Sequence, residues 1–493
     1  MERIRINDLP GAESLTPEAS AKLFIVRWLC SLRGRLGTRR PAGRARPAVV
    51  PRLESLEDRV VPSTFLVTSL ADSGTGSLRQ AVSDANAKPG ADLIRFSPGL
   101  TGTIRLSSGQ LDVTDDLTIT GPGATQLAVS GSGLSRVLHV APGVAADVSG
   151  LTVTGGRIAN FGGGILNEGD LSLSFCRVVG NEAFARKPDE ESAGGGISNT
   201  GTMTVRFCEI ASNTLTGTDN PSVDGVNISG GGISSAGAGA SLIITDSSIS
   251  FNTAPNAGGL RIAEGSTLTF AHNLVEGNTA LQTLGGGIGI DDAPDTTLTD
   301  SIFRDNRVLG NDSVFGAFGG GLHNEHSNTT VINCVFEGNS SAGFGGGLDN
   351  FAGTLTVRDS SITGNSAVTG GGLANVFGGS KMVLEGSSVE ANTASADGGG
   401  VASAANPTFG SPALLEVRQS VLSGNTAGGN GGGVSFASGD ALILNDVLIT
   451  RNRASRAGGT GRGGGLYVGT PPATEDLTGA VIVLNSPDNV FRA

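Results

Sequence analysis

Two short clusters in this chain carry residue types suited to acid–base or metal chemistry. Asp291-Asp292 is a carboxylate pair just after a glycine corner, and His323-Asn-Glu-His326 is the densest gathering of potential ligands. Paired carboxylates suit glycoside hydrolysis, where one carboxyl protonates the leaving oxygen and the other attacks or activates water. Histidines at i and i+3 would suit a metal on a helix; in a corner leaving Leu322 they are expected to splay to solvent. Aspartates recur at Asp246, Asp300, Asp359 and Asp446, which read as solvated strand faces. A polysaccharide lyase would need a Lys or Arg base with calcium held by clustered Asp. Beyond residue 62 the lysines are Lys88, Lys187 and Lys381, scattered over a lid, a loop and a strand start. Flat platforms for sugars are scarce, because the one Trp is Trp28 and the one Tyr is Tyr467.

What must position these residues is an internal repeat, and a repeat of this period sets the architecture before any local assignment. Eleven glycine clusters or corners lead into Ile165, Ile197, Ile233, Leu260, Ile288, Leu322, Leu348, Leu373, Val401, Val434 and Leu466. From 16 to 24 residues later stand Asn181, Asn213, Asn252, Asn278, Asn306, Asn339, Asn365, Asn392, Asn425, Asn452 and Asn485. Three residues before each asparagine the chain is always apolar, from Val178 and Ile210 to Ile449 and Ile482. Eight residues before, it is apolar again, and ten before it is Leu or Met except at Thr296, Thr329 and Glu475. Side chains two apart share a face of a strand, so minus ten and minus eight point the same way.

Each unit offers two or three short strands and too little apolar surface for a core of its own. Stacked at about 4.8 Å per turn, successive units would share one, with like residues forming columns. Spacings of 25 to 39 residues between equivalent strands suit parallel pairing between turns. The expected architecture is all-β: a right-handed single-stranded parallel β-helix of about 13 rungs, roughly 60 Å long at that rise. Corners need positive φ, which glycine adopts freely and asparagine most readily among the others. Asparagine amides can also donate and accept along a stack, and a second stack is expected at Asn167, Asn199, Asn324, Asn350 and Asn375. Cys176, Cys208 and Cys334 occupy minus five, a slot otherwise filled mainly by serine, and read as free thiols.

Residues 1–62 are a different material. They hold 12 Lys and Arg against 7 Asp and Glu, leaving 21 against 38 for the remainder. Leu23–Leu32 is too short to span a bilayer; the region is either an atypical export signal or a disordered basic arm. Residues 63–100 are expected to cap the first coil. Ser77-Leu-Arg-Gln80 has capping-box spacing, with Leu78, Ala81, Val82 and Ala85 on one helical face. The β-helix proper then occupies residues 101–493.

The repeat resembles those of chlamydial polymorphic outer membrane proteins within the right-handed parallel β-helix class. The residues that carry the likeness are Gly-Gly-Gly-Ile at 162–165 and 194–197, with Phe303-Arg-Asp-Asn306 and Phe336-Glu-Gly-Asn339. That resemblance implies the coil but no chemistry, and the run of strands for a translocating barrel does not follow the last repeat. Leu53-Glu-Ser-Leu-Glu-Asp-Arg59 resembles a tag near the N-terminus of surface and secreted proteins of planctomycete-type bacteria, which implies export. Ser77-Leu-Arg-Gln-Ala81 resembles the segment preceding bacterial β-helix repeats, which implies a lid. The Asp-Asp pair is similar to that of polygalacturonases, but their Gly-His-Gly and Arg-Ile-Lys elements are missing.

These readings exclude some functions. An acidic mature region repels phosphate, so no nucleic acid is expected, and no transmembrane span, cofactor or metal is assigned. The catalytic residues are left unknown. The expected role is that of an exported cell-surface or extracellular protein presenting a long surface for adhesion or matrix contact, with extracellular polysaccharide or surface proteins as partners. The alternatives are a polysaccharide lyase or hydrolase of the pectin-lyase-like fold, and a spacer assembling end to end. An enzyme should bring several charged side chains within about 6 Å on one lateral face; an adhesin or spacer should not.

Overall fold

A computed structural model describes residues 62–187, 190–217, 228–310, 316–377, 379–404, 413–455 and 461–493. Of the expected leader at 1–62, residues 1–61 lie outside the described residues, and the described residues from 62 on belong to one compact unit. Among the described residues the strands fall into four long sheets of 15, 14, 14 and 11 strands, with one 2-stranded sheet besides. Every pairing is parallel and joins equivalent segments of successive repeats, as in Val178↔Ile210 and Leu173↔Val205. The chain is thus an all-parallel β-solenoid of about 14 turns, one more than the repeat count suggests, and it agrees with a right-handed β-helix.

Each full turn visits the sheets in a fixed order. A strand after the glycine cluster, such as Leu322–Glu325, belongs to what we call the post-glycine sheet. Asn328–Ile332 carries the minus-ten and minus-eight residues, Val335–Glu337 the minus-three residue, and Ser340–Ser341 follows the asparagine. Inward positions form one continuous apolar core from Val67 to Val468, including Leu298, Val331, Phe303 and Phe336. Phe303 and Phe336 stack with centroids 4.4 Å apart, as equal residues in register must. At the N-terminal end, the Leu78–Asn86 helix buries Leu78, Ala81, Val82 and Ala85, and Ser77 Oγ accepts the Gln80 N–H at 3.2 Å. Its apolar face joins the same core and covers the first coil.

The corners differ from the expectation in an instructive way. Left-handed backbone falls not on the ladder asparagines but on the residue before each, such as Ser212, Phe251 and Ala391. It falls also at minus six, where Asp246, Asp300, Asp359 and Asp446 have φ of 49–55°. Those aspartates are therefore corner residues, not members of a solvated strand face. A short polar side chain tolerates this conformation better than most. The glycine three before each aliphatic is left-handed too, and Ala257 takes the same conformation at φ 49°.

Freed from supplying the turn, the asparagines supply hydrogen bonds. Asn306 Nδ2 donates to Asn339 Oδ1 at 2.9 Å and to the Val275 carbonyl at 2.9 Å, while Asn306 N–H donates to the same Oδ1 at 3.0 Å. The pattern repeats from Asn181 to Asn485. It satisfies backbone groups that a buried corner would otherwise leave unpaired. The second stack exists but is broken. Asn167 bonds Asn199, and Asn324, Asn350 and Asn375 bond in series, but Ile262 and Ile290 stand between the two runs. A third column runs at minus five, where the Cys334 N–H donates to Ser360 Oγ and Ser360 N–H to Ser387 Oγ. Cys176, Cys208 and Cys334 are buried free thiols of that column.

Candidate functional site: a charged constellation on the post-glycine sheet

The outward residues of the post-glycine sheet form two columns. One position after the aliphatic, Ser198, Ser234, Arg261, Gly289, His323, Asp349 and Ala374 pair in sequence. Three positions after it, Ala263, Asp291, Glu325, Phe351 and Val376 do the same. The strand's period of two puts both columns on the outside. They are nevertheless largely buried, because a ridge of residues preceding the glycine clusters lies along one side. Leu284, Phe318, Phe344 and Thr369 are bridged in parallel within it. Phe318 and Phe344 stack at 5.4 Å, and Phe351 and Phe377 approach to 4.4 Å.

Between this aromatic wall and the sheet floor sit the charges. Arg261, its side chain 6% exposed, donates from Nη2 to Asp291 Oδ2 at 3.3 Å. His323 is fully buried, with Nδ1 3.0 Å from Asp349 Oδ2 and Nε2 3.3 Å from Glu325 Oε2. The expectation that His323 would splay to solvent is thus corrected. It lies inside a strand, and Phe318, with its centroid 5.5 Å away, closes over it. Its companion His326 does reach solvent, in a left-handed corner at φ 46°. Asp292 occupies the equivalent corner of the preceding turn, also at φ 46°.

Burial alone would depress the His323 pKa, but hydrogen bonds and charge from Asp349 and Glu325 outweigh it and raise the group to about 9. The imidazole is therefore cationic, with both ring nitrogens donating to carboxylates. Burial pushes the Asp349 carboxyl up while the imidazolium opposes it, and Asp349 Oδ1 has no hydrogen-bond partner. Burial also pushes Asp291 up, aided by the Glu325 charge and resisted by Arg261. Glu325 goes the other way: burial would raise it, but the His323 hydrogen bond and charge, with His326 and Arg261, hold it below the usual carboxylate range. Asp291, Glu325 and His326 also bring three potential ligand atoms within 4.8 Å of one another, a set that could hold a divalent cation.

Toward the N-terminus the same floor opens into a cavity of about 290 Å³, lined by Phe161, Glu168, Glu191, Ser198, Arg261 and Glu264 among others. Arg136 donates to the carbonyls of Gly162 and of Phe161, one of the lining residues. The remaining candidates from the sequence lie elsewhere. Lys88 bonds Ser63 at 3.2 Å in the cap, Lys187 is exposed, and Lys381 opens a strand of another sheet. Asp300 and Asp446 share the minus-six corner column but are separated along it by Asn333, Asp359, Gly386 and Gln419. Sequence reasoning missed Arg261 and Asp349. The signal was present in their position one residue after the aliphatic, the same slot as His323.

The family described as "Right handed beta helix region" matches residues 215–351, which include Arg261, Asp291, His323, Glu325 and Asp349. No curated protein matches the chain. Among solved structures, the mannuronan C-5 epimerase AlgE6 A-module of Azotobacter vinelandii is similar at 14% identity and a TM-score of 0.31, covering 84% of this chain and 95% of that chain. Among the described residues, no helix is long and apolar enough to cross a membrane.

Proposed function

We propose that this chain is an exported β-helix protein that holds an extended polysaccharide along the outer face of its post-glycine sheet. The observation that carries the reading is the run of Arg261, Asp291, His323, Glu325 and Asp349 over four consecutive turns, continuous with the cavity beside Glu168 and Glu191. Such a trough, with hydroxyls, carboxylates and aromatic edges along one line, suits a linear polymer whose repeat can follow the stacking of turns. Charged groups gathered on one lateral face are the mark expected of an enzyme more than of an adhesin, and they support a face that engages polysaccharide. Export rests on the Leu53–Arg59 resemblance.

Affinity electrophoresis of the full chain through gels containing soluble polysaccharides tests this. Retardation is expected with at least one polymer and should be lost in Ser198→Trp, which fills the cavity. Mobility unaltered by every polymer would remove the proposal. A second reading, contact with surface proteins or matrix, is favoured by the exposed rings of Phe175 and Phe207, stacked 5.0 Å apart and 62% and 53% exposed. A Phe175→Ser/Phe207→Ser chain that loses matrix adhesion while still being retarded by polysaccharide would carry it.

A further inference from the structure

Resting on the polysaccharide reading above, we propose that the cavity between Phe161 and Arg261 is a subsite for an amino sugar, so that the polymer held there carries free amines. The cavity exists because the turns that form it carry small side chains. In the ridge slot, four residues before the aliphatic, Phe161 is followed by Ala193 and Ser229, where later turns hold Leu284, Phe318 and Phe344. In the floor slot, one residue after the aliphatic, Ser198 and Ser234 precede Arg261, where a later turn holds His323. The trough that rings and charges fill near His323 is therefore open here, over about 290 Å³. That is the lower end of the size of ligand pockets, about 300 Å³, and gives room for a single sugar residue.

The floor calls for a polar guest. Ser198 and Ser234 are 4% and 2% exposed, both line the cavity, and among the described residues neither hydroxyl has a hydrogen-bond partner. Buried hydroxyls are ordinarily paired, so two that face an open cavity are matched by a ligand bringing hydroxyls of its own. The Phe161 ring, 37% exposed at one wall, supplies an apolar face that the C–H side of a pyranose can cover.

The rim sets the charge. Glu168, Glu191 and Glu264 line the cavity and are exposed, whereas its one lining cation among the described residues, Arg261, is bonded to Asp291 at 3.3 Å. Two other basic side chains lie beside the cavity and outside its lining. Arg136 is committed to the carbonyls of Phe161 and Gly162, and His139 lies between Asp112 and Glu168 at 3.1 and 2.8 Å. The rim therefore keeps an excess of negative charge, which attracts ammonium groups and repels a polyuronate. A metal ion is a poorer occupant: among the described residues the acidic and imidazole groups close enough to share one are Asp291, Glu325 and His326, not these three carboxylates. A lysine-rich protein segment has the charge but no ring of hydroxyls to meet the floor, so oligolysine is the control for charge alone.

The test measures binding to the full chain by titration calorimetry in low salt at about pH 6, where glutamates are ionised. The probes are soluble glucosamine oligomers, the same oligomers N-acetylated, and oligolysine of equal charge. The glucosamine oligomers are expected to bind roughly tenfold or more tightly than either of the others, and to weaken as salt rises. Glu168→Gln, Glu191→Gln and Glu264→Gln should each weaken binding roughly two- to fivefold, since exposed charges are screened. Asp305→Asn/Glu337→Gln/Glu390→Gln, which removes three exposed carboxylates on or beside the minus-three strands, should not. Ser198→Trp should abolish binding. If that chain does not fold, Ser198→Ala/Ser234→Ala should lose roughly tenfold through the two hydroxyls alone. Equal binding of the acetylated oligomers or of oligolysine, or equal weakening by the distant substitutions, would overturn the amino-sugar assignment. Retardation by other polysaccharides with no binding of glucosamine oligomers would also overturn it and leave the polysaccharide reading standing; no binding of any polymer removes both.

Discussion

Of the columns of buried polar side chains along this molecule, two behave oppositely. At the corner before the short sheet, one residue type recurs in eleven successive turns, each asparagine bonding the next. On the outer post-glycine face the type changes at almost every turn, from Ser234 to Arg261, Gly289, His323 and Asp349. The first column satisfies the same backbone groups each time, so one solution serves throughout. The second satisfies no repeating backbone need, since its sheet is already paired. Its charges are held by one another, and a local mixture of types in a repeating scaffold marks where chemistry can be built.

The sharpest break in this comparison comes from the interior. Phe336→Ala removes a fully buried ring from the stack with Phe303 and should cost about 3–5 kcal/mol. Chemical denaturation would show the shifted midpoint, with polysaccharide retardation of the folded fraction intact. An effect as large from Asp349→Asn would erase the distinction between scaffold and site.

The next effect depends on pH. The His323 pKa is raised from 6.5 to about 9 on folding, so its contribution is fully present below about pH 6.5 and lost as pH rises through about 9. Stability should therefore decline over that window by no more than about 3 kcal/mol, and His323→Gln should flatten the decline. A wild-type midpoint that is level from pH 6 to 9.5 would mean that the buried imidazole is not held charged.

Within the uniform column, Asn339→Ala strips partners from the Phe303 carbonyl and the Asn306 amides. About 2 kcal/mol should be lost. Amide exchange should quicken at Asn306 and leave the outer face protected. The smallest change is expected at the surface: Arg177→Ala removes the bidentate pair with Glu209, both side chains 39% exposed. Screening and side-chain entropy should keep the loss within about 0.5 kcal/mol. A larger loss would show that lateral ion pairs, and not the two buried columns, hold successive turns together.

How much of this was legible beforehand can be judged from particular residues. Val178, Ile210 and their equivalents gave away the solenoid, because a strand and a corner impose spacings that survive in one dimension. The eleven asparagines were readable as a ladder for the same reason, although their conformational role was assigned to the wrong residue. Ser212 and Phe251 carry the left-handed turn that was expected of Asn213 and Asn252. Asp291 and the 323–326 cluster were visible as chemistry-bearing types but not as neighbours, and their separation in sequence hid the shared face. Arg261 and Asp349 passed unremarked although they stand in the same slot as His323, one residue after the aliphatic, because the slot marks a shared face only once the turns are stacked.

By itself, the order of residues determined that this chain coils, which side chains fill the coil, and that a helix closes its start, since each depends on local periodicity. Only the tertiary structure decided which charges meet. A 32-residue step from Arg177 to Glu209 and a 26-residue step from His323 to Asp349 both become a single inter-turn contact. The loop lengths that produce that register carry no periodic mark. Whether His323 was solvated or sealed beneath Phe318 likewise depended on a ridge contributed by other turns, because burial is a property of neighbours in space and not of neighbours along the chain.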